Sequence, residues 1–528
     1  MKKVTSWKEL TLREKIGQTV VSLCEMDKHI EMCGSIKGFA EKYPIGGLFN
    51  NVGFVNGLLT GENSEFRDIL NEYNKYLRVP LIGTGDHGYF AKSKGVELPT
   101  QMSLGATDSE ELAYSAGEFK AEDYKKSGVH WGFWPVCDLN ISADIPITNT
   151  RSAGDDPERV CKVVKAEIKA MRDAGVISTL KHYPGTPYNE NVDPHLAPVN
   201  NETPMDFWRS TYGKMYKELI EAGVPTIMTG HCNLVDYQEE VIDGACPPAT
   251  MSYELTTKLL RDELCFVGVI VTDALVMGGF GGSLALENTV KSFLSGNDVL
   301  LWPMYEYIDE MEKRILSGEI DEALLDKAVE RIWNMKKEYG ILDEKDYSSD
   351  KDITFFEERA EKISENCLTL IRNDSKIIPL KKGKGQKVLI VAVTPNDVQY
   401  SELSCLREEF EKYGCKATVQ RNIATNEMEE KNKEYDLVLF ALCRTPHRPM
   451  GPLEFWGEEA AAIWASNCSD ASKTVVASFG SPYLYKYYKN SKHTYINTCS
   501  STKNVISAFV KALFGEIEFN GVSSVKLQ

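Results

Sequence analysis

DPERVCKVVKAEIKAMRDAGVISTLKHY, residues 156–183, holds one amphipathic helix and one apolar strand, in an order that recurs along residues 45–303. The helix enters through Asp-Pro and stops at Gly175, the usual punctuation of a helical segment. VISTLKHY follows at once, apolar at its start and polar at its end. Working outward, the same kind of short apolar run appears as IGGLFN (45–50), VPLIGTGD (79–86), VHWGFWPVCDL (129–139), VPTIMTGHC (224–232), VGVIVTDAL (267–275) and NDVLLWP (297–303). Helical stretches such as SEELAYSAGEFKAEDYKKSG (109–128) and YELTTKLLRDEL (253–264) lie between them. Near-continuous apolar strands alternating with helices predict a parallel sheet covered by helices. Seven clear repeats, with an eighth strand weak or displaced, predict an α/β fold of the (β/α)8, TIM-like barrel kind over residues 1–342.

Several of these runs end in polar residues where a buried strand should have none: Asp86, Asp138, Lys181 with His182, His231, Asp273 and, more weakly, Trp302. Barrel enzymes build their sites at that edge, and recurrence at equivalent points argues against incidental core polarity. The pattern changes near residue 343, where LDEKDYSSDKDITFF is charged and lacks helical periodicity, so 343–358 reads as a linker. KVLIVAV (387–393), YDLVLFALC (435–443), KTVVASF (473–479) and KHTYINTC (492–499) then predict a five- or six-stranded α/β (αβα) sandwich over 359–528. Neither G-x-G-x-x-G after its first strand nor G-x-x-x-x-G-K-[ST] occurs, so no nucleotide motif marks this domain.

The 528 residues carry a net charge of -17, with 42% hydrophobic and 26% charged residues, as expected of a globular chain. Such acidity argues against nucleic-acid or anionic-membrane partners and favours a neutral small-molecule or oligosaccharide substrate. The N-terminal MKKVTSWKELTLREKIGQ lacks the apolar core of a secretory signal, and no run approaches the about 20 apolar residues of a membrane span. Thirteen scattered cysteines without a C-x-x-C pair predict reduced, mostly buried thiols in a cytoplasmic protein, with no metal site. Homodimerisation is left open.

LKHYPGTPYNENVDPHLAP (180–198) concentrates the chemistry. Asp193 and His195 stand two apart around a proline that keeps the chain extended, so both side chains can leave one side of the loop. A carboxylate beside an imidazole fixes its tautomer and makes an acid/base group near neutral pH. Asp273 closes an apolar strand before the Gly-rich turn ALVMGGFGG, a placement suited to a nucleophile. A nucleophilic carboxylate and one mobile acid/base form the minimum set for retaining glycoside chemistry.

LKHYPG with DPHLAP is similar to the K-H-F-P-G-H-G...D-S-H signature of the β-N-acetylhexosaminidase branch of glycoside hydrolase family 3. LIGTGDHG, FWPVCDLN, NTRSAGDDP, IMTGHCNLVD, PATMSYELTTKLLRDELCFVGVIVTDALVMGG, ENCLTLIRNDSKIIPL and ALFGEIEFNGVSSVKL extend the resemblance in chain order over nearly the whole sequence. The resemblance implies a (β/α) barrel followed by an α/β sandwich, no metal or other cofactor, and a covalent glycosyl-enzyme. It implies Asp273 as nucleophile, His195 as general acid/base and Asp193 as its orienting partner. Asp86, Arg151, Lys181 and His182 resemble the residues that grip sugar hydroxyls, with His231 lining the site. Recycling of cell-wall or chitin-derived amino sugars is the role the resemblance implies.

Two departures bear on substrate choice. The family's G-H-G loop is altered over Thr186-Pro187-Tyr188, and its D-x-E-G-G loop, here within GDHGY, is altered over residues 87–89, with His87 and Tyr89. The expected activity is a retaining β-N-acetylglucosaminidase or β-N-acetylhexosaminidase. Phosphorolysis is the alternative, because a histidine acid/base does not repel phosphate as a glutamate would; a sugar-binding protein without turnover is a third. The loop CRTPHRPMGPLEFWGEE (443–459) offers His447, Arg448 and Trp456 to a leaving group, and Glu454, Glu458 or Glu459 as another acid.

Overall fold

The computed structural model describes residues 3–51, 54–55, 58–59, 65–187, 191–242, 244–280, 286–345, 347–381, 385–445 and 454–527. They form two compact units. The first comprises Met1–Ala91, Gly117–Asp138 and Val164–Lys351, and the second Lys92–Ala116, Leu139–Val163 and Asp352–Gln528. The second unit thus takes two segments from within the span expected to be barrel alone.

Eight parallel strands build the first unit: β1 (Val20–Leu23), β2 (Gly47–Phe49), β3 (Ile82–Gly85), β4 (Trp131–Gly132), β5 (Thr179–Tyr183), β6 (Thr226–Thr229), β7 (Val269–Thr272) and β8 (Leu300–Leu301). β8-β1-β2-β3-β4 and β5-β6-β7 are continuous ladders, and parallel bridges Trp131–Ile177, Val136–Lys181 and Val271–Val299 join them into a closed barrel. Side-chain alternation sorts the strands' residues. Val21, Phe49, Ile82, Trp131, Val269, Val271, Val299 and Leu301 share the interior cluster, while Val20, Leu48, Leu81 and Leu300 pack outward under the helices. Trp131 is sealed inside by donating its indole N–H to Thr179 and Thr226 hydroxyls.

The strand missing from the sequence expectation is β1. Its run VVSL is only four residues long and is interrupted by Ser22, whose hydroxyl bonds the Tyr305 hydroxyl. The expected strand 129–139 shrinks to Trp131–Gly132, because Pro135 lacks the N–H that ladder pairing needs. The helix at 156–175 starts as read, with Asp156 Oδ1 accepting from Arg159 N at 2.9 Å, and Gly175 closes it at φ 76°.

Under the barrel, Lys336 is fully buried and donates to Gln18 Oε1, Gly46 O and Pro80 O at 2.8, 2.8 and 2.9 Å, holding the approaches to β1, β2 and β3. Lys336→Met strands three buried acceptors and is expected to lower unfolding free energy by about 3 kcal/mol, read from denaturant midpoints. Burial pulls the Lys336 ammonium down to about 7. Between that value and the ordinary lysine range, the unfolded chain holds a proton the folded chain has shed, so this group's contribution to stability rises with pH across the window. The gap between wild type and Lys336→Met is therefore expected to widen from pH 7 to pH 9.5.

The second unit contains a six-stranded sheet: β9 (Thr369–Arg372), β10 (Lys387–Val393), β11 (Lys416–Arg421), β12 (Leu437–Leu442), β13 (Thr474–Ser478) and β14 (Thr494–Asn497), in the order β9-β14-β13-β12-β10-β11. Only β9 runs antiparallel, against β14. Val388, Ile390, Leu437, Leu439 and Val475 fill one face; Leu389, Val391, Val438, Phe440 and Val476 fill the other. Both faces are covered, which accounts for the unbroken apolar runs. The segment read as linker to residue 358 is shorter than expected, since Asp352 caps a helix at Ile353–Asn366 by accepting from Phe355 N. Among the described residues no helix is long and apolar enough to cross a membrane, and all thirteen cysteines are free thiols.

Candidate active site

Asp273 follows β7 directly. Its N–H donates to Thr229 O of β6 at 2.8 Å, and its Oδ1 accepts from Ala274 N at 2.8 Å, so main chain alone aims the carboxylate at the barrel mouth. Burial by itself would raise this carboxyl. His182, His231, His195 and Lys181 outweigh it and hold the group below the usual carboxylate range, hence ionised at neutral pH.

Two neighbours come from β5. Lys181, 1% exposed at its side chain, places Nζ 2.6 Å from Asp86 Oδ1 beyond β3, a charge-assisted pair that links the two strands flanking β4. His182 Nδ1 lies 2.7 Å from Asp138 Oδ2, and its backbone N–H approaches both Asp138 oxygens at 3.3 Å. Since an ionised carboxylate can only accept, the hydrogen-bond network assigns the proton to Nδ1 and turns Nε2 to Asp273 Oδ2, 4.0 Å away. Asp138 is legible in the sequence as one of the polar strand ends, but without a role in the site. Its place at the end of FWPVCD was the available signal, but its hold on His182 needed coordinates.

The Asp193–His195 pair is local and short. Asp193, 1% exposed, receives His195 Nδ1 at 2.6 Å and His195 N at 2.8 Å on one oxygen. Gly278 N donates to His195 O at 3.0 Å and Gly279 N to Pro194 O at 2.7 Å, seating this loop on the turn that leaves Asp273. A methyl at Gly278 would stand 2.4 Å from Leu196 O, and at Gly279 2.6 Å from Pro194 O. Only glycine allows that approach. Gly279→Ala is expected to cut kcat/KM by about 100-fold through loop displacement, with the thermal midpoint measured in parallel to separate this from unfolding.

His231 differs from the expectation that it lines the site. Its nitrogens are engaged by Ala274 O at 2.9 Å and Thr250 Oγ1 at 3.1 Å, and burial lowers its basicity despite Asp273. It braces the turn behind Asp273. Arg151 belongs to the second unit, where it is buried and donates to Ile147 O at 3.3 Å. His87 is 7% exposed and packs under the helix Glu110–Lys126, with Nε2 3.4 Å from Asp123 Oδ2 and its ring 4.3 Å from Tyr124. Burial pulls it down to about 4, so it is neutral there. Tyr89 is buried in the outer core. Of the loop 443–459, residues 446–453 lie outside the described residues, as does Tyr188. Trp456 is 70% exposed, and Glu459 is buried with an oxygen 3.4 Å from Arg444 Nη1.

Comparison with known proteins agrees with this architecture. A β-N-acetylglucosaminidase/β-glucosidase of Cellulomonas fimi is 26% identical over 470 residues, covering 82% of this chain and 80% of that protein. A β-N-acetylglucosaminidase of Paenibacillus sp. str. FPU-7 superposes at TM-score 0.82 with 23% identity, covering 98% of this chain and 99% of that one. A β-glucoside phosphorylase superposes at 0.83 with 24% identity, covering 98% and 95%; both likenesses are of fold. The family model for the glycosyl hydrolase family 3 N terminal domain matches residues 11–335, most of the chain and all eight barrel strands, and the chain belongs to glycoside hydrolase family 3.

Proposed function

We propose that the chain is a retaining β-N-acetylglucosaminidase acting on terminal β-linked amino sugars. The observation that carries this reading is the docking of the Asp193–His195 loop onto the turn of an ionised Asp273. An Asp273 oxygen attacks the anomeric carbon as the bond to the leaving oxygen breaks, and His195 Nε2–H delivers its proton to that oxygen. A glycosyl-aspartate and a free alcohol result. Neutral His195 then takes a proton from water as the water oxygen displaces Asp273, restoring both groups with the β configuration. Asp193 holds Nδ1–H throughout, while Lys181, Asp86 and His182 take sugar hydroxyls. Arg151 enters on its motif alone.

The relatives' names support the amino-sugar choice, and the test is direct. Turnover of 4-nitrophenyl N-acetyl-β-glucosaminide, with β-N-acetylglucosamine as first product by NMR, is expected; first-formed α product eliminates the double displacement. Phosphorolysis is the second reading, favoured by the absence of a carboxylate acid in the dyad and by Lys181 and His182 beside Asp273. Sugar 1-phosphate formed in phosphate buffer would establish it, and free sugar alone would exclude it.

A further inference from the structure

We propose that Trp302 is a specificity-determining residue, its indole forming the apolar wall against which the C–H surface of the bound pyranose packs beside Asp273. This inference rests on the glycosidase reading above. Around the mouth, the strand ends from β3 to β7 bring Asp86, Asp138, Lys181, His182 and Asp273, so that arc is polar. On the remaining sector, β8-β1-β2, Leu23 and Phe49 close their strands and Trp302 follows β8, all three packed with the apolar interior cluster, with the buried Asn50 next after Phe49. A pyranose has the same division, with hydroxyls at its rim and C–H bonds across its faces, and a site of one polar and one apolar arc matches it.

Trp302 reaches this place by an unusual route. Val299 and Leu301 point into the barrel and Leu300 out, so alternation would send residue 302 outward into the helical layer. Instead Trp302 sits at φ 58°, the left-handed region that a bulky residue rarely adopts, and the indole packs with the interior cluster, edge-on to Phe49 at a centroid distance of 5.0 Å. Its backbone N–H bond to Val21 O, 2.8 Å, pins the turned backbone, and Leu275 N on the turn after Asp273 donates to Leu301 O at 3.0 Å, so the backbone that carries Trp302 is tied to the turn that carries Asp273. That backbone bond and the packing on Phe49 hold the strain, while part of the ring stays exposed and its Nε1 has no partner among the described residues. A strained backbone that its surroundings hold in place is a recurring feature of ligand sites.

The experiment uses the full chain. Trp302→Ala is expected to lower kcat/KM about tenfold or more on both 4-nitrophenyl N-acetyl-β-glucosaminide and the β-glucoside, mostly through KM, with Trp302→Phe between it and wild type. Saturating N-acetylglucosamine is expected to change tryptophan emission in the wild type, and that change should vanish in Trp302→Phe while calorimetry still detects binding. A folded Trp302→Ala with kcat/KM within threefold of wild type, or an emission change that persists in Trp302→Phe, overturns the inference alone. A wild type that binds and turns over no glycoside overturns the glycosidase reading and this one with it.

Discussion

Asp273→Asn is expected to lower kcat/KM on an aryl N-acetyl-β-glucosaminide by about 10⁴-fold or more while leaving the fold intact. The amide keeps the size of the carboxylate and its oxygen can still accept from Ala274 N, so the turn and β7 have no reason to move. What disappears is the negative charge that His182, His231, His195 and Lys181 surround. Without it neither the covalent bond nor the developing positive charge on the sugar has a partner. Replacing Asp273 with glycine opens room for a small anion, and azide is expected to restore turnover and yield the α-glycosyl azide, since it would attack from the face the carboxylate occupied. Asp273→Asn retaining more than a tenth of wild-type activity would sink the assignment.

His195→Ala is expected to act selectively. A dinitrophenyl leaving group departs without a proton, so its glycoside should lose little in the bond-breaking step, whereas alkyl glycosides and oligosaccharides should fall about 10²–10⁴-fold. Asp193→Asn should follow the same leaving-group order with a smaller loss, because the imidazole remains but its Nδ1 proton no longer faces a full charge. A plot of log(kcat/KM) against leaving-group pKa reads both variants at once. Equal losses on good and poor leaving groups would move the proton donor elsewhere. Glu459 is poorly placed to replace it, buried as it is beside Arg444.

Much of the barrel was legible because strands covered on both faces must be apolar throughout, and seven such runs stand out between helices. β1 escaped because four residues interrupted by Ser22 do not rise above the background of buried helix ends. Helix at Ile353–Asn366 escaped because its cap, Asp352, lies inside a charged stretch that masks the periodicity after it. In the site, the positions of Asp273, Lys181, His182 and Asp86 were readable as polar residues ending apolar strands. The division of labour among histidines was not. His182 faces Asp273 and His231 stands behind it, although both follow strands in the same way, and the difference lies in which oxygen each ring nitrogen finds. His87 looked like a change in the binding loop, yet its side chain leaves the mouth for the Asp123–Ser127 turn of a helix.

The two main-chain bonds from Gly278 and Gly279 to the residues flanking and including His195 have a consequence for engineering and for descent. The Asp193–His195 loop and the turn after Asp273 are mated through backbone geometry, so that loop transplanted from a cousin enzyme would arrive without its socket unless the paired glycines travelled with it. Length variation should therefore accumulate upstream of Asp193 and downstream of Gly279, and chimaeras cut between these two stretches should fold but stay silent.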